Sequence, residues 1–227
     1  MSRGSQNPVP DRPAGPVVIA IDGPSGSGKS TVARRLATEL GLSYLDTGAM
    51  YRSVTLAVLE QGIDPADGDA VAAVARSAVV DLAPDGTVRL DGVDVTAAIR
   101  TAAVNEAVSA VAANQSVRAV LVDRQRDWIR ERDGGVLEGR DIGTVVFPSA
   151  RLKVYLTASD VARAARRARD EVNDDHHEVA QALARRDHAD ATRLVDPLRQ
   201  ADDAQVLDTT DLSIDEVVDI LVRAARG

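Results

Sequence analysis

The chain has 227 residues, a formal net charge of -8 and no cysteine. It is long enough to bury a sizeable apolar core in one large domain. Its acidic balance disfavours a general binder of nucleic acids or acidic membranes, and the lack of cysteine excludes disulfides and thiolate metal sites. No apolar run approaches the ~20 residues of a membrane span, so we expect a soluble, cytoplasmic protein.

The N-terminal part is predicted to begin with a disordered tail, because residues 1–16 are rich in proline and glycine and lack the apolar stretch of a signal peptide. The apolar, β-branched run over residues 17–21 predicts a strand that is buried on both faces. After Lys29, apolar residues recur with helical spacing as far as Leu40, and Gly41 supplies a helix stop.

A glycine-rich loop joins this strand to this helix. Its sequence, GPSGSGKS, fits the pattern G-x-x-x-x-G-K-[ST] in full. In such a loop the backbone N–H groups surround a polyphosphate, the lysine reaches the β- and γ-phosphates, and the hydroxyl that follows can bind magnesium. The residues assigned to the phosphates of a nucleotide are Gly23, Pro24, Ser25, Gly26, Ser27, Gly28, Lys29, Ser30 and Thr31.

Two Asp-Gly pairs interrupt the segment from about residue 78 to residue 95. The pairs Asp85-Gly86 and Asp91-Gly92 separate three short β-like runs. Because Asp-Gly between alternating apolar residues is a strong hairpin signal, we expect a small antiparallel meander inserted into the core.

The rest of the chain alternates between short strands and helical segments, which predicts an α/β fold with a parallel sheet and helices on both of its faces. Ser213 and Glu216 form a capping box for a last helix. Before it, residues 159–190 interleave arginines with acidic residues. The further strands of the sheet are predicted at residues 43–45, 135–138, 152–156 and 204–207.

Five stretches of the chain resemble bacterial cytidylate kinases, which are nucleoside monophosphate kinases. They read IDGPSGSGKST, YLDTGAMYR, IRTAAVNEAVSAVA, LEGRDIGTVVFP and RRDHADATRLVDPL, and they are spread from Ile21 to Leu198. The phosphate loop is common to many families, whereas DTGAMYR and GRDIGTVVFP are far more specific. The resemblance implies a P-loop NTPase-type fold and the transfer of the γ-phosphoryl group of MgATP to CMP or dCMP in pyrimidine nucleotide metabolism.

The resemblance also implies a division of the chain. The core would consist of residues 17–62, 104–158 and 191–227. Residues 63–103 would be the monophosphate-binding insertion that contains the meander, and residues 159–190 would be a mobile helical lid. Relatives of this kind are generally monomers, and we expect a monomer here.

The family's roles are carried over only to matching residues. Those implied to hold the CMP phosphate are Thr47, Arg52, Arg140 and Arg193. Asp190 would accept hydrogen bonds from the sugar hydroxyls. The three implied to act on the transferring phosphoryl group are Lys29, Arg140 and Arg186.

Three further residues, Ser109, Arg118 and Asp141, would face the base. Cytosine presents an amine beside two acceptors, so a carboxylate and a guanidinium form a complementary pair. Uracil carries a carbonyl where cytosine carries the amine, which predicts a preference for CMP over UMP of about tenfold or more. Two alternatives stay open: Ser109 and Arg118 lie in a segment that is also typical of an ordinary amphipathic helix, and Asp141 could be a helix cap or a ligand of a magnesium-bound water.

The lid departs from the family's usual pattern. In RRDHADATR, Asp190 stands between two alanines where relatives often carry polar or basic residues. This leaves Arg186 as the best lid arginine to meet the transferring phosphoryl group. Ser30 is followed by Thr31 where some relatives have Gly-Thr, so either hydroxyl could bind magnesium, and the motif favours Ser30.

Two other functions remain open at this point. A kinase of another small metabolite, built on the same loop, would phosphorylate a non-nucleotide and ignore CMP. A non-enzymatic nucleotide-binding module would bind ATP without producing a diphosphate. A guanine-binding switch is disfavoured because the chain has no Asn-Lys-x-Asp element. The acidic net charge and the arginine clusters favour an enzyme of two nucleotides.

Overall fold

A five-stranded parallel sheet lies at the centre of the structure, a computed structural model that describes residues 15–171 and 176–227. The strand order is β2-β6-β1-β7-β8, and each neighbouring pair is parallel. In chain order the described strands are β1 (Val17–Asp22), β2 (Tyr44–Asp46), β3 (Val80–Leu82), β4 (Val88–Leu90), β5 (Val93–Asp94), β6 (Gly134–Gly139), β7 (Leu152–Thr157) and β8 (Gln205–Asp208). The first fourteen residues of the expected tail lie outside the described residues.

Helices cover both faces of this sheet. The described α-helices are α1 (Lys29–Leu40), α2 (Thr47–Glu60), α3 (Gly68–Ser77), α4 (Ala102–Ala113), α5 (Gln115–Arg132), α6 (Asp160–Glu171), α7 (His176–Thr192) and α8 (Ile214–Arg226). The predicted α/β fold is therefore confirmed, and each predicted strand of the parallel sheet is present within one residue of its expected ends. None of the helices in the described segments is both long enough and apolar enough to span a membrane.

Strand β1 separates two apolar cores. Its alternate residues point to opposite faces, so Val18 and Ala20 enter a core with α2, α4 and α5, while Ile19 and Ile21 enter a core with α1 and α8. Burial on both faces explains why the strand is an unbroken apolar run. The chain leaves this strand at the carboxyl edge of the sheet, where the phosphate loop begins.

The meander predicted from about residue 78 to residue 95, with its three runs separated by the two Asp-Gly pairs, is present as the antiparallel sheet β3-β4-β5. Asp91 and Gly92 join β4 to β5 with φ angles of 50° and 85°. A two-residue turn needs positive φ at both positions, which is why Asp-Gly is the preferred pair there.

The apolar pattern after residue 102 folds as two helices rather than one. Asn114 separates α4 from α5, and its side-chain oxygen accepts hydrogen bonds from the N–H groups of Ser116 and Val117 at 2.9 and 3.2 Å. Asparagine is among the best residues for such a cap. The new helix direction places the Arg118 side chain in the interior, and Arg118 is 2% exposed.

Helices α6 and α7 pack on each other at the edge of the molecule. They share a small apolar cluster of Ala164, Ala168, Val179 and Leu183, which is separate from the two cores of the sheet. At the C-terminal end, α8 begins with the predicted capping box, in which Ser213 and Glu216 bond each other's N–H groups. Helices α6 and α7 thus carry much less apolar packing than the sheet domain does.

Candidate active site

The phosphate loop runs from the end of β1 to the first residue of α1. A Cβ at Gly23 would collide with the main-chain carbonyl of Leu156, so only glycine allows β1 and β7 to continue side by side here. A Cβ at Gly26 would lie 2.8 Å from the carbonyl oxygen of Arg163 in α6. The loop is therefore held closely between the sheet and α6.

Lys29 turns back into the loop that precedes it. Its Nζ donates a hydrogen bond to the carbonyl of Pro24 at 2.6 Å, and the residue is 5% exposed. Burial, with a further contribution from the nearby Arg140 guanidinium, lowers the pKa of this ammonium to about 7. A polyphosphate in the loop would reverse that shift, because it favours the charged form.

A cavity of about 740 Å³ opens in front of the loop. We call it the phosphate-loop cavity, and it lies between α6, the start of α1 and residues 209–214. Ser30 and Thr31 expose their side chains to it. On its far side Arg166 donates to the carbonyl of Thr209 at 2.6 Å, which fixes α6 to the loop after β8.

Ser25 connects the phosphate loop to α6, α7 and the loop after β6 through its three polar groups. Its N–H donates to Asp187 Oδ1 at 2.9 Å, and its carbonyl accepts from Arg163 Nη1 at 2.8 Å. Its hydroxyl accepts from Arg140 Nη2 at 2.6 Å. Arg163 also pairs with Asp187, so α6, α7 and the loop form one hydrogen-bonded group.

Arg140, Asp190 and Arg186 form the charged region beside this group. Arg140 Nε donates to Asp190 Oδ2 at 2.9 Å. Burial opposes ionisation of Asp190, but Arg140 and Arg186 outweigh it and hold the pKa of the carboxyl below its usual value. Arg186 Nε is buried without a hydrogen-bond partner in the described part of the chain. Such a nitrogen is a natural partner for an anion.

A second charged group lies one residue further along the loop after β6. Asp141 pairs with Arg118, and its Oδ1 lies 3.6 Å from Arg193 Nη2. Arg118 also stacks over the ring of Tyr51, 5.6 Å from its centre. Burial raises the pKa of the Asp141 carboxyl, although both arginines oppose the shift. Among the described residues, Arg193 Nη2 is a buried nitrogen with no hydrogen-bond partner.

The motif DTGAMYR lies at the start of α2, where Asp46 caps the helix by accepting from Ala49 N at 2.9 Å. Thr47 Oγ1 donates to the carbonyl of Glu138 at 2.6 Å, so it touches the strand that leads to Arg140. Arg52 donates to the carbonyl of Ile99 at 2.8 Å. Burial, and then the charges of Arg186 and Arg167, lower the pKa of Arg52 to about 9. This clustering of cations points to an anionic ligand.

The structure brings most of the predicted site residues together, in two groups joined at the Arg140-Asp141 peptide. Ser109 is the exception, since it lies half-buried in α4 and no hydrogen bond within the described segments links it to Arg118 or Asp141. Its role stays a prediction.

Sequence reasoning missed several residues that hold the site together. Asp187 and Asp196 lie in the stretch RRDHADATRLVDPL, and Asp22 lies in IDGPSGSGKST. Their spacing along the chain does not reveal their hydrogen-bond partners. The Asp22 carboxylate accepts from the N–H groups of Ile142 and Gly143 at 2.8 and 2.7 Å, which fixes the loop after β6. Burial raises the pKa of that carboxyl to about 6.

The geometry suits a ligand with two negatively charged parts. The phosphate loop and its cavity offer N–H groups and Lys29, while the neighbouring arginines offer cations that are incompletely paired. In the segments that the structure describes, no group of three or more histidine, aspartate or glutamate side chains is placed to hold a metal ion.

Comparison with known proteins identifies close relatives of this chain. A family model described as Cytidylate kinase matches residues 19–227. A protein of Nocardia farcinica (strain IFM 10152) named Cytidylate kinase is 51% identical over 215 residues, which cover 92% of this chain and 93% of that protein. One of the same name from Mycobacterium avium (strain 104) is 51% identical over 212 residues, covering 90% and 93%.

A solved structure shares the fold at much lower sequence identity. The gluconokinase from Sinorhizobium meliloti 1021 has a TM-score of 0.50 and 16% identity, and the match covers 93% of this chain and 92% of that one. At this level of identity the likeness concerns the fold alone.

Proposed function

Since this chain belongs to the cytidylate kinase family, we propose which of its residues bind the two nucleotides and which stabilise the phosphoryl group during its transfer. The protein is an ATP-dependent kinase that transfers the γ-phosphoryl group to CMP or dCMP, giving ADP with CDP or dCDP. One observation carries our assignment of roles: the Ser25–Arg140 contact joins the phosphate loop to the loop that holds Asp141. The proposed ATP site and the proposed CMP site meet at this contact.

We place ATP in the phosphate-loop cavity. The N–H groups of the loop and the Lys29 ammonium would hold the β- and γ-phosphates. The nucleoside would lie between α6 and residues 209–214, which line a space of about 740 Å³. This placement uses the positive end of α1 and leaves the γ-phosphate facing Arg140 and Arg186.

Magnesium would arrive with the nucleotide. The Ser30 hydroxyl lines the cavity next to Lys29, and a hydroxyl oxygen is a hard ligand that Mg²⁺ accepts together with water and phosphate oxygens. Thr31 lines the same cavity, but Ser30 holds the position that the motif assigns to the metal. Bound there, Mg²⁺ would neutralise charge on the phosphates.

The phosphate of CMP would lie among Thr47, Arg52, Arg140 and Arg193. The support is electrostatic: burial and neighbouring cations lower the pKa of Arg52, and Arg193 keeps a buried nitrogen without a hydrogen-bond partner in the described residues. An anion relieves both conditions. Asp190 would accept from the sugar hydroxyls with the oxygen that Arg140 leaves free.

The base would face Asp141 and Arg118, with Ser109 assigned by family resemblance. The carboxylate would accept from the amine of cytosine, and the guanidinium would donate to the neighbouring acceptors. Uracil would place a carbonyl against Asp141. We therefore expect CMP and dCMP to be preferred to UMP.

Catalysis would consist of positioning and charge stabilisation. The attacking oxygen belongs to a phosphate that is already anionic, so the in-line transfer needs no general base. Lys29, Arg140 and Arg186 would stabilise the charge of the transferring group. The lid, residues 159–190, would exclude water that otherwise competes for the phosphoryl group, and residues 63–103 would support the monophosphate side.

The first experiment is a comparison of five acceptors. The purified protein is incubated with MgATP and CMP, dCMP, UMP, AMP or GMP in turn, and ADP formation is followed. We expect CMP and dCMP to react about tenfold faster than UMP or more. Equal rates with CMP and UMP would refute the base-reading roles, and silence with all five would refute the function. Gel filtration with light scattering tests the expected monomer.

A further inference from the structure

We propose that Asp196 is a positioning residue for base recognition. Its carboxylate holds Arg118 and its main-chain carbonyl holds Arg193, so that this one residue sets the geometry that favours CMP over UMP. The inference rests on the proposed placement of the base against Arg118 and Asp141.

Arg118 is held by two carboxylates. Its Nε donates to Asp196 Oδ2 at 2.7 Å, and its Nη2 pairs with Asp141. The third nitrogen, Nη1, is 3.4 Å from the carbonyl of Ala112. The guanidinium is a rigid planar fork, so anchors on different nitrogens fix both its position and the orientation of its plane. The Arg118 side chain is 2% exposed, so these contacts fix a buried guanidinium.

The main chain of Asp196 holds the second arginine. Arg193 Nε donates to the Asp196 carbonyl at 2.6 Å. Asp196 has a φ angle of 49°, a left-handed conformation that aspartate tolerates better than most residues. In this conformation its side chain reaches Arg118 while its carbonyl reaches Arg193. One residue thus links the proposed base site to the proposed phosphate site.

The charges explain why this matters for the base. Arg118 pairs with the carboxylates of Asp141 and Asp196, whereas Arg193 lies 3.6 Å from the Asp141 carboxylate and bonds only the main-chain carbonyl of Asp196. Without the Asp196 side chain, Arg118 would keep only the Asp141 carboxylate, which Arg193 also approaches. Its oxygens would then be more fully engaged by guanidinium groups and less available to the amine of cytosine. Removal of the Asp196 side chain should weaken CMP binding more than UMP binding.

The test variant is Asp196→Gly. Glycine adopts the left-handed backbone freely, so the substitution deletes the carboxylate without adding backbone strain. A partly buried hydrogen bond between two charged groups is lost, and we expect the KM for CMP to rise about tenfold. The CMP/UMP ratio of kcat/KM should fall about fivefold, on the same scale. The KM for ATP should stay within about twofold of its original value, since no donor contact changes.

A second variant and a matched control complete the design. Asp196→Asn keeps an acceptor oxygen for Arg118 Nε and tolerates the same backbone, so its CMP/UMP ratio should lie between those of the original protein and the glycine variant. Asp202→Gly removes an exposed carboxylate six residues further on and should change nothing. Circular dichroism verifies that each variant is folded.

The outcomes separate this inference from the function itself. If the original protein prefers CMP but Asp196→Gly keeps that preference and the KM for CMP, Asp196 has no positioning role. If the KM rises equally for CMP and UMP, Asp196 supports phosphate binding and the proposed role in base recognition is wrong. An asparagine variant that is no better than glycine would overturn the hydrogen-bonded role of the side chain. Only a lack of CMP phosphorylation in the original protein would count against the function.

Discussion

Individual side chains in this site are held in charge states that a ligand would change. Burial and Arg140 lower the pKa of Lys29 to about 7, and Arg186 keeps a buried Nε with no hydrogen-bond partner in the described residues. A bound anion would favour the charged form of Lys29 and would give Arg186 Nε a hydrogen-bond acceptor. The proposed ATP site can therefore be tested directly at two residues, Lys29 and Arg186.

The first test is proton uptake on binding of ATP. At pH 8 most of the Lys29 population is neutral in the free protein, and the polyphosphate should restore its charge, so binding should take up close to one proton. At pH 6 the lysine is already charged and the uptake should nearly vanish. ATP affinity should accordingly fall by up to about tenfold per pH unit above 7. Calorimetry at both pH values, in buffers of different ionisation enthalpy, measures the uptake.

The control for proton uptake is Lys29→Met. This variant lacks the titrating ammonium and should lose the proton uptake that the original protein shows at pH 8. If it retained the uptake of the original protein at pH 8, another group would be responsible and the assignment to Lys29 would be wrong.

The second test compares two adjacent arginines in α7. Arg186→Ala should reduce kcat by at least about a hundredfold, the scale of ~3 kcal/mol for a lost contact to transition-state charge. Arg185→Ala removes an exposed neighbour and should leave kcat unchanged. Steady-state kinetics with saturating CMP and ATP decide between them. Equal effects of the two substitutions would contradict the assignment of Arg186 to the reacting phosphoryl group.

At the scale of elements, the attachment of α6 and α7 to the phosphate loop depends on a few polar contacts. Asp187 accepts from Ser25 N and pairs with Arg163, so it joins both lid helices to the loop. Asp187→Ala should let the lid separate from the loop and admit water. We expect the fraction of ATP lost to hydrolysis, measured as phosphate released per CDP formed, to rise several-fold. This change corresponds to about 1 kcal/mol for the lost hydrogen bond.

The control for that prediction is His188→Ala, which changes an exposed neighbour on the same helix. It should leave the ratio of hydrolysis to transfer unchanged. A ratio that is also unchanged in Asp187→Ala would mean that the lid excludes water without this contact.

Secondary structure was largely predictable at this scale, because it follows local signals. The β1 run, the Gly-Lys-Ser junction, the Asp-Gly turn at Asp91 and the Ser213 capping box each depend on neighbouring residues alone. The break at Asn114 was not predicted, because the apolar pattern continues through it. In the site, the family stretches indicated which residues belong, but not that Asp187 bonds Ser25 or that Asp196 bonds Arg118. Those contacts span 162 and 78 residues of sequence.

At the scale of the whole molecule, apolar packing is unevenly distributed. The sheet has a large core on each face, whereas α6 and α7 share a cluster of four buried side chains, two of which are alanines. Less buried apolar area means a smaller free energy of local opening. In the free protein, amides of α6 and α7 should therefore exchange faster than those of β1 and β6.

Hydrogen exchange measured with mass spectrometry tests this expectation. Addition of MgADP and CMP together should slow exchange in α6 and α7 while leaving β1 and β6 nearly unchanged, because both nucleotides would contact the lid. Uniform protection across all four elements in the free protein would contradict the proposed lid. Trp128 reports separately on global unfolding, since it lies in α5 and packs against the sheet core beside Gly135 of β6.

Arg140 and Asp141 are consecutive residues that contact opposite sides of the site, one Ser25 and the other Arg118. In evolutionary terms, this separates an inherited chemistry from an adjustable preference. On the proposed roles, a substitution at position 141 would change which base is accepted while the neighbouring codon would preserve phosphoryl transfer. A descendant with a new acceptor would thus be reachable by substitutions that leave Arg140 and the phosphate loop in place.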